Sequence, residues 1–286
     1  MIKKIEDLGV KELVELSDKN WEWVSEKERL SECFIRKYFD FLDVVRICIF
    51  QDLSESFIHD FRDRLVWRLI CKHQKMSEVF MNEHLDYLTD LYMKEVCKYQ
   101  ELSECFIRKN IKHIDWKMIA EYQDLEEAFI EEFQKSLDMK TVSEFQYLSE
   151  EFRNKHSLAV SNDNWLYKDI NYKRAAIVNT RLYDCHEDYF IAYKAIWPNR
   201  YSTHKFHFQF REFIVGNTYE CKADFTNKEY SFGLSVSTKR REELFRKVTN
   251  ASDVIKVKIY YKDVAGVFPN YYDDGSIRCK KLTVLS

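Results

Sequence analysis

Apolar and polar positions in the first half of the chain recur with a long, regular period. The phrase Leu-Ser-Glu-x-Phe-Ile stands at residues 30–35, 53–58 and 102–107, and degenerate copies begin at Met76, Leu125 and Leu148. Two residues upstream of five copies lies a glutamine: Gln51, Gln74, Gln100, Gln123 and Gln146, spaced by 23, 26, 23 and 23 residues. Glu28 takes that place in the first copy. The apolar columns keep the same register. Trp21, Trp67 and Trp116 stand seven residues before it; Val24, Ile47, Ile70, Val96, Ile119 and Val142 stand four before. Phe34, Phe57, Phe80, Phe106, Phe129 and Phe152 follow it by six. A fixed period of this kind marks a repeat architecture.

Each unit reads as two short helices. Ser54 is a good N-cap, Glu55 in the first turn suits the helix dipole, and Leu53 with Ile58 makes a hydrophobic staple that recurs as Leu102 with Ile107. The other helix carries the Trp and Ile columns on one face and ends near the glutamine. That side chain can bond exposed backbone groups at the turn; the alternative is a polar ladder that binds a partner. One such pair buries too little to fold alone, so neighbouring units must stack. The extra three residues between Gln74 and Gln100 lengthen a helix or a loop.

After about residue 163 the pattern shortens to that of strands. Residues 189–197, 213–215, 218–223, 231–236, 254–261 and 277–285 read as strands, with a helix capped by Ser237 or Thr238 running to about Val248. Asp273-Asp274-Gly275 is a tight turn. Glycine and proline agree: no glycine lies between Gly9 and Gly216, and no proline precedes Pro198. The expectation is therefore an α-solenoid-like array of 23-residue helix pairs over residues 1–160, followed by a small α+β domain over 163–286.

Charge follows the same division. Residues 1–160 hold 24 Lys and Arg against 33 Asp and Glu, a net of −9, whereas 161–286 hold 21 against 15, a net of +6. An acidic array argues against nucleic acid as its ligand and fits a basic protein partner, or simply a solvated face. Eight cysteines without a CxxC pair, no signal peptide and no apolar run long enough for a membrane point to a reduced, cytoplasmic protein. Cys48, Cys71 and Cys97 share a column and read as buried thiols rather than metal ligands.

The repeat resembles the short helical repeats with a Gln-x-Leu-Ser-Glu-Glu-Phe-Ile signature in proteins of large DNA viruses and phages, over about residues 20–153. Residues 189–285 are similar to the uncharacterised domain that follows pentapeptide repeats in phage and viral proteins. Phe190-Ile-Ala-Tyr-Lys194, Val215-Gly-Asn-Thr-Tyr-Glu220, Phe232-Gly-Leu-Ser235 and Asp274-Gly-Ser-Ile-Arg-Cys279 carry that similarity. Together these resemblances imply a host-directed interaction protein in the host cytoplasm, such as an inhibitor of a defence or nucleic-acid-handling factor.

No P-loop, GxGxxG, HExxH or GxSxG motif is present, so the expectation is a non-enzyme without cofactor or metal. Two weaker readings concern the second domain. Tyr193-Lys194, Ser235 and a late strand carrying Arg278 resemble in order an ADP-ribosyltransferase-like site for a nucleotide or small molecule, with Arg278 or Lys280 where those enzymes place a glutamate. Lys205 and Arg211, interleaved with Phe206, Phe208 and Phe210, suit stacking on single-stranded nucleic acid. His204 and His207 are a weak metal pair, and His186 sits in a charged loop with Asp184, Glu187 and Asp188.

Overall fold

The structure is a computed structural model that describes residues 18–159, 169–196, 212–226, 231–249, 253–268 and 275–286. It is a helical array followed by a small sheet-containing domain. Among the described residues the array has twelve helices in alternation. One set ends at the glutamine column: α1 (Asp18–Lys27), α3 (Val44–Phe50), α5 (Trp67–His73), α7 (Asp90–Tyr99), α9 (Trp116–Tyr122) and α11 (Met139–Phe145). The other set starts after the serine column, in which Glu126 replaces the serine before α10: α2 (Glu32–Tyr38), α4 (Glu55–Asp60), α6 (Glu78–Glu83), α8 (Glu104–Lys109), α10 (Glu127–Glu132) and α12 (Glu150–Lys155).

The serine helices are six or seven residues long, too short to persist in water without help. The Ser31, Ser54, Ser77, Ser103 and Ser149 hydroxyls each accept the N–H of the phenylalanine three residues on, at 3.1–3.2 Å. All six column phenylalanines are buried, as are Trp21 and Trp67; Trp116 is half-buried and lies against Phe133. The glutamine helices stack in succession: α1 on α3, α3 on α5 and α5 on α7, then α9 on α11. Their aliphatic column is sealed, with Ile47, Ile70, Val96, Ile119 and Val142 all at 0% exposure. Cys48, Cys71 and Cys97 are buried beside it, and burial pushes the Cys48 thiol up to about 11. The three inserted residues lengthen a helix: α7 has ten residues, where α3, α5, α9 and α11 have seven.

By compactness the chain divides after Gln100, so the repeats from Glu101 onward cluster with the sheet domain. The boundary expected near residue 160 falls inside that second unit.

After the array come α13 (Ile170–Val178), β1 (Asp184–Cys185), β2 (Tyr189–Ile196), β3 (Thr218–Glu220), β4 (Leu234–Val236), α14 (Lys239–Thr249), β5 (Asp253–Tyr260), β6 (Val264–Phe268), β7 (Ser276–Cys279) and β8 (Lys281–Val284). They form two sheets, ordered β1-β2-β5-β8-β3 and β4-β7-β6. The centre is the antiparallel β2–β5 pair, in register from Tyr189 opposite Tyr260 to Ile196 opposite Asp253. On β5, Ile255, Val257 and Ile259 point into the core while Val254, Lys256 and Lys258 are half-exposed, which the alternation in the sequence anticipates. Helix α14 packs on β2 and β5, and Thr238 caps it by accepting the Arg241 N–H at 3.2 Å.

Several elements differ from the sequence reading, and residues 213–215, expected as a strand, form none. The single last strand expected over 277–285 is two strands, β7 and β8, which join different sheets on either side of Lys280. Strand β6 and helix α13 were not expected at all. The strand expected over 218–223 stops at Glu220, where the chain turns away as a loop.

Candidate functional site

The repeat signature is used up in joining one repeat to the next. Gln74 shows how. Its Oε1 accepts the Leu53 N–H at 3.1 Å, and its Nε2 donates to Cys48 O at 2.9 Å and Gln51 O at 2.8 Å. Gln51 makes the same three bonds to Leu30, Ser25 and Glu28, and Gln100 to Met76, Cys71 and Gln74. In the second unit Gln146 bonds Leu125, Ala120 and Gln123 in the same way. Every glutamine thus reaches back to the turn of the preceding repeat and satisfies the helix-end groups that have no partner within their own helix. The bonds expected at the turn are made, but across the joint rather than within one unit.

The signature glutamate works in the other direction. Glu32 accepts the Ser54 N–H at 2.6 Å and its hydroxyl at 3.0 Å; Glu55 accepts the Ser77 N–H, and Glu127 accepts that of Ser149. This role was missed in the sequence, although the 22-residue spacing from Glu32 to Ser54, Glu55 to Ser77 and Glu127 to Ser149 was visible there. Charged side chains add pairs at repeat spacing, Arg36 with Asp60 at 2.8 Å and Arg108 with Glu132 at 2.9 Å, each Arg also lying over a column phenylalanine. Such exposed pairs add little stability.

In the second domain the structure brings Lys194 and Ser235 together and sets Arg278 opposite Ser235 in the β4–β7 pairing. Lys194 is 1% exposed; its Nζ donates to Ser235 O at 2.9 Å and lies 5.7 Å from the Phe213 ring centre. Beside it Glu242, 3% exposed, accepts the Ala195 N–H and the Ser237 hydroxyl, both at 2.6 Å. Burial lowers the Lys194 amine and raises the Glu242 carboxyl, pushing both toward neutrality, while their mutual attraction opposes each shift. Tyr193 serves through its backbone, exchanging hydrogen bonds with Ser237 at 2.9 and 3.0 Å. The chain matches no family model, no curated protein and no solved structure.

Arg278 lies on β7, 3% exposed, with its guanidinium 4.7 Å from the Phe268 ring centre and Nη2 donating to Thr226 O. Its stem passes over Gly233, where φ is +130° and an added Cβ would stand 2.8 Å from Arg278 Cγ. Only glycine suits both conditions. Burial lowers the Arg278 guanidinium, and the neighbouring charge of Asp224 opposes this. Lys205, Arg211, His204 and His207 lie outside the described residues. His186 stacks on Tyr189 at 4.4 Å and stands 3.6 Å from Asp184 on the surface. Among the described residues no group of three or more His, Cys, Asp or Glu side chains is placed to hold a metal ion, and no helix is long and apolar enough to cross a membrane.

A cleft of about 350 Å³ opens within the second unit, between the loop after β3 and the turns that follow α9 and precede α8. The loop is held by Cys221 N–H on Lys280 O and Asp224 N–H on Phe232 O, both at 2.9 Å. Behind it Tyr122, at the end of α9, meets Phe232 with ring centres 5.8 Å apart. Lys173 of α13 lies over Phe225 at 5.6 Å, its amine lowered to about 8 by burial and by the nearby Lys280. No single motif marks these residues in the sequence, because the loop and the repeat turn meet only through the fold.

Proposed function

We propose that this chain is a non-enzymatic interaction protein whose repeats form a solenoid-like surface for a protein partner, with the sheet domain closing the array or adding a second contact. The observation that carries this reading is the consumption of the signature. Gln, Leu, Ser, Glu, Phe and Ile are all spent on joints and core, which leaves the exposed positions between them free to vary. Repeat arrays use such positions for recognition. The net charge of −9 over residues 1–160 suits a basic partner and gives salt-sensitive association. The resemblance to viral and phage proteins makes a host factor the partner, and inhibition of a defence or nucleic-acid-handling protein the role.

The test is capture from host cytosol at low salt with the full chain as bait. A stoichiometric protein should be retained, released by salt, and lost when the exposed Glu83, Asp86 and Glu151 are replaced by lysine. Retention of nothing stoichiometric, or capture unchanged by the charge reversal, would sink the reading. The alternative of a nucleotide-modifying site at Tyr193, Lys194, Ser235 and Arg278 is the weaker proposal, since Lys194 and Arg278 are 1% and 3% exposed and both bond backbone carbonyls.

A further inference from the structure

Two histidines meet where one repeat joins the next. His59 lies near the end of α4, His84 follows the end of α6, and His59 Nδ1 stands 2.9 Å from His84 Nε2. The residue ten places after each glutamine ends the serine helix: Phe61, His84, Asn110, Phe133 and His156. In the second unit His156 meets Glu131 at 2.9 Å, a carboxylate in the place that His59 holds. An imidazole opposite a carboxylate can form an ion pair, whereas two imidazoles present a pair of nitrogen ligands.

The hydrogen bonds decide which nitrogens are offered. His84 Nδ1 lies 2.9 Å from Phe80 O, and a carbonyl only accepts, so Nδ1 carries the proton and the Nε2 lone pair of the neutral ring faces His59. A carbonyl behind a histidine is the usual outer partner of a metal ligand, because it sets the tautomer and the ring angle. The His84 ring is also held by packing. It stacks on Phe80 at 4.0 Å and meets Trp67 at 5.9 Å between ring centres, and the residue is 5% exposed. His59 is exposed and is the half that can adjust. It donates from Nδ1 to His84 Nε2; moving that proton to its own Nε2 gives the other neutral tautomer and leaves two lone pairs between the rings.

Spacing selects the ion. At a metal–nitrogen distance of about 2.05 Å, nitrogens 2.9 Å apart subtend about 90°, the cis angle of a tetragonal or octahedral ion. The tetrahedral angle that zinc prefers would spread them to about 3.3 Å. The carboxylates next along the chain are engaged: Asp60 pairs with Arg36 at 2.8 Å, and Asp63 accepts the Tyr87 hydroxyl at 2.7 Å. Among the described residues no group of three or more ligating side chains gathers, so water completes the coordination.

We propose that His59 and His84 form a two-histidine chelate for a divalent transition-metal ion of the nickel or copper type, which clasps α4 to α6 across the joint between repeats. The site does not depend on the charge of the array surface.

Isothermal titration with nickel(II) tests this on the full chain, with the exposed thiols removed by Cys33→Ser and Cys105→Ser. A one-to-one binding step should appear, tighter for nickel than for zinc and absent for magnesium. His59→Gln keeps a donor for His84 Nε2 while removing the ligand. His84→Asn copies Asn110, whose side chain donates to Phe106 O at 2.9 Å in the equivalent place. Each variant should weaken nickel binding at least about tenfold, roughly 1.4 kcal/mol. Nickel should also raise the denaturation midpoint of the parent but not that of either variant. No saturable nickel binding, tighter binding of zinc, or an affinity unmoved in either folded variant, the mark of adventitious binding elsewhere, would overturn the proposal.

Discussion

The two parts of the molecule bury polar groups in opposite ways. The array buries neutral amides: Gln51, Gln74, Gln100, Gln123 and Gln146 are 1–5% exposed, and each is bonded to the backbone of another repeat. The sheet domain buries charges: Lys173, Lys194, Asp224, Glu242, Asp263 and Arg278 are all at 6% exposure or less. A neutral amide that bonds only main-chain groups needs no particular side chain opposite it, so the same joint can be copied from repeat to repeat. A buried charge needs a particular partner, so it cannot be copied and its desolvation must be met locally. The contrast separates a module selected for repetition from a domain selected for one arrangement.

The largest effect should come from breaking one amide joint. Gln74→Ala strands the Leu53 N–H and the Cys48 and Gln51 carbonyls together, all three in buried surroundings. At about 1–3 kcal/mol for each group left without a partner, the loss should be roughly 5 kcal/mol in chemical denaturation. The same substitution should cost a similar amount at Gln51, because the joint is the same. If the two losses differ by several kcal/mol, or both are under about 1 kcal/mol, the joint is not the copied unit described above.

A charged site should behave differently under the same treatment. Lys194→Met leaves Glu242 buried without its neighbouring cation and should cost about 4 kcal/mol at neutral pH. The double variant Lys194→Met with Glu242→Gln should recover most of that loss, since the amide oxygen accepts the Ala195 N–H and the amide nitrogen donates to the Ser237 hydroxyl oxygen. Non-additivity of this size would mark the pair as mutually dependent. Additive losses would show instead that Lys194 and Glu242 act separately, through Ser235 and Ala195.

How much of this was legible beforehand follows the same division. The helical repeat could be read because copying leaves a period: the Gln, Ser and Phe columns are each visible six or so times. The glutamate joint escaped notice because its partner lies one repeat away, where first-turn position alone already gives glutamate a reason to be there. The sheet domain offered no repetition. Its strands at 189–196 and 253–260 were legible from alternation and β-branched composition. The division of 276–284 between two sheets is set by pairing with β4 and β6 on one side and with β3 and β5 on the other, which local sequence does not record. Asp224 and Tyr122 meet at the cleft from positions about a hundred residues apart, so no motif could join them.

The array breaks its own rule at one place, and that place yields the smallest predicted effect and a pH-dependent one. The residue before each glutamine is aromatic in four repeats, Phe50, Tyr99, Tyr122 and Phe145, and is His73 in the remaining one. His73 is 8% exposed, close to the 9% of Phe50, Tyr99 and Tyr122, so it fills an aromatic slot. Burial, with the nearby Lys72 charge, lowers its imidazole from the ordinary 6.5 to about 4. Between those values the unfolded chain binds a proton that the folded chain refuses. The stabilisation is therefore complete above about pH 6.5, falls as the pH drops, and is lost below about 4, a total of about 3 kcal/mol. His73→Phe removes this term while keeping the ring. Denaturation of both proteins at pH 7 and pH 4.5 should show the variant losing less stability than the parent, by about 2–3 kcal/mol. Because every other titrating group is common to the two proteins, equal losses would mean that His73 accepts its proton in the folded state and that the slot is open to water.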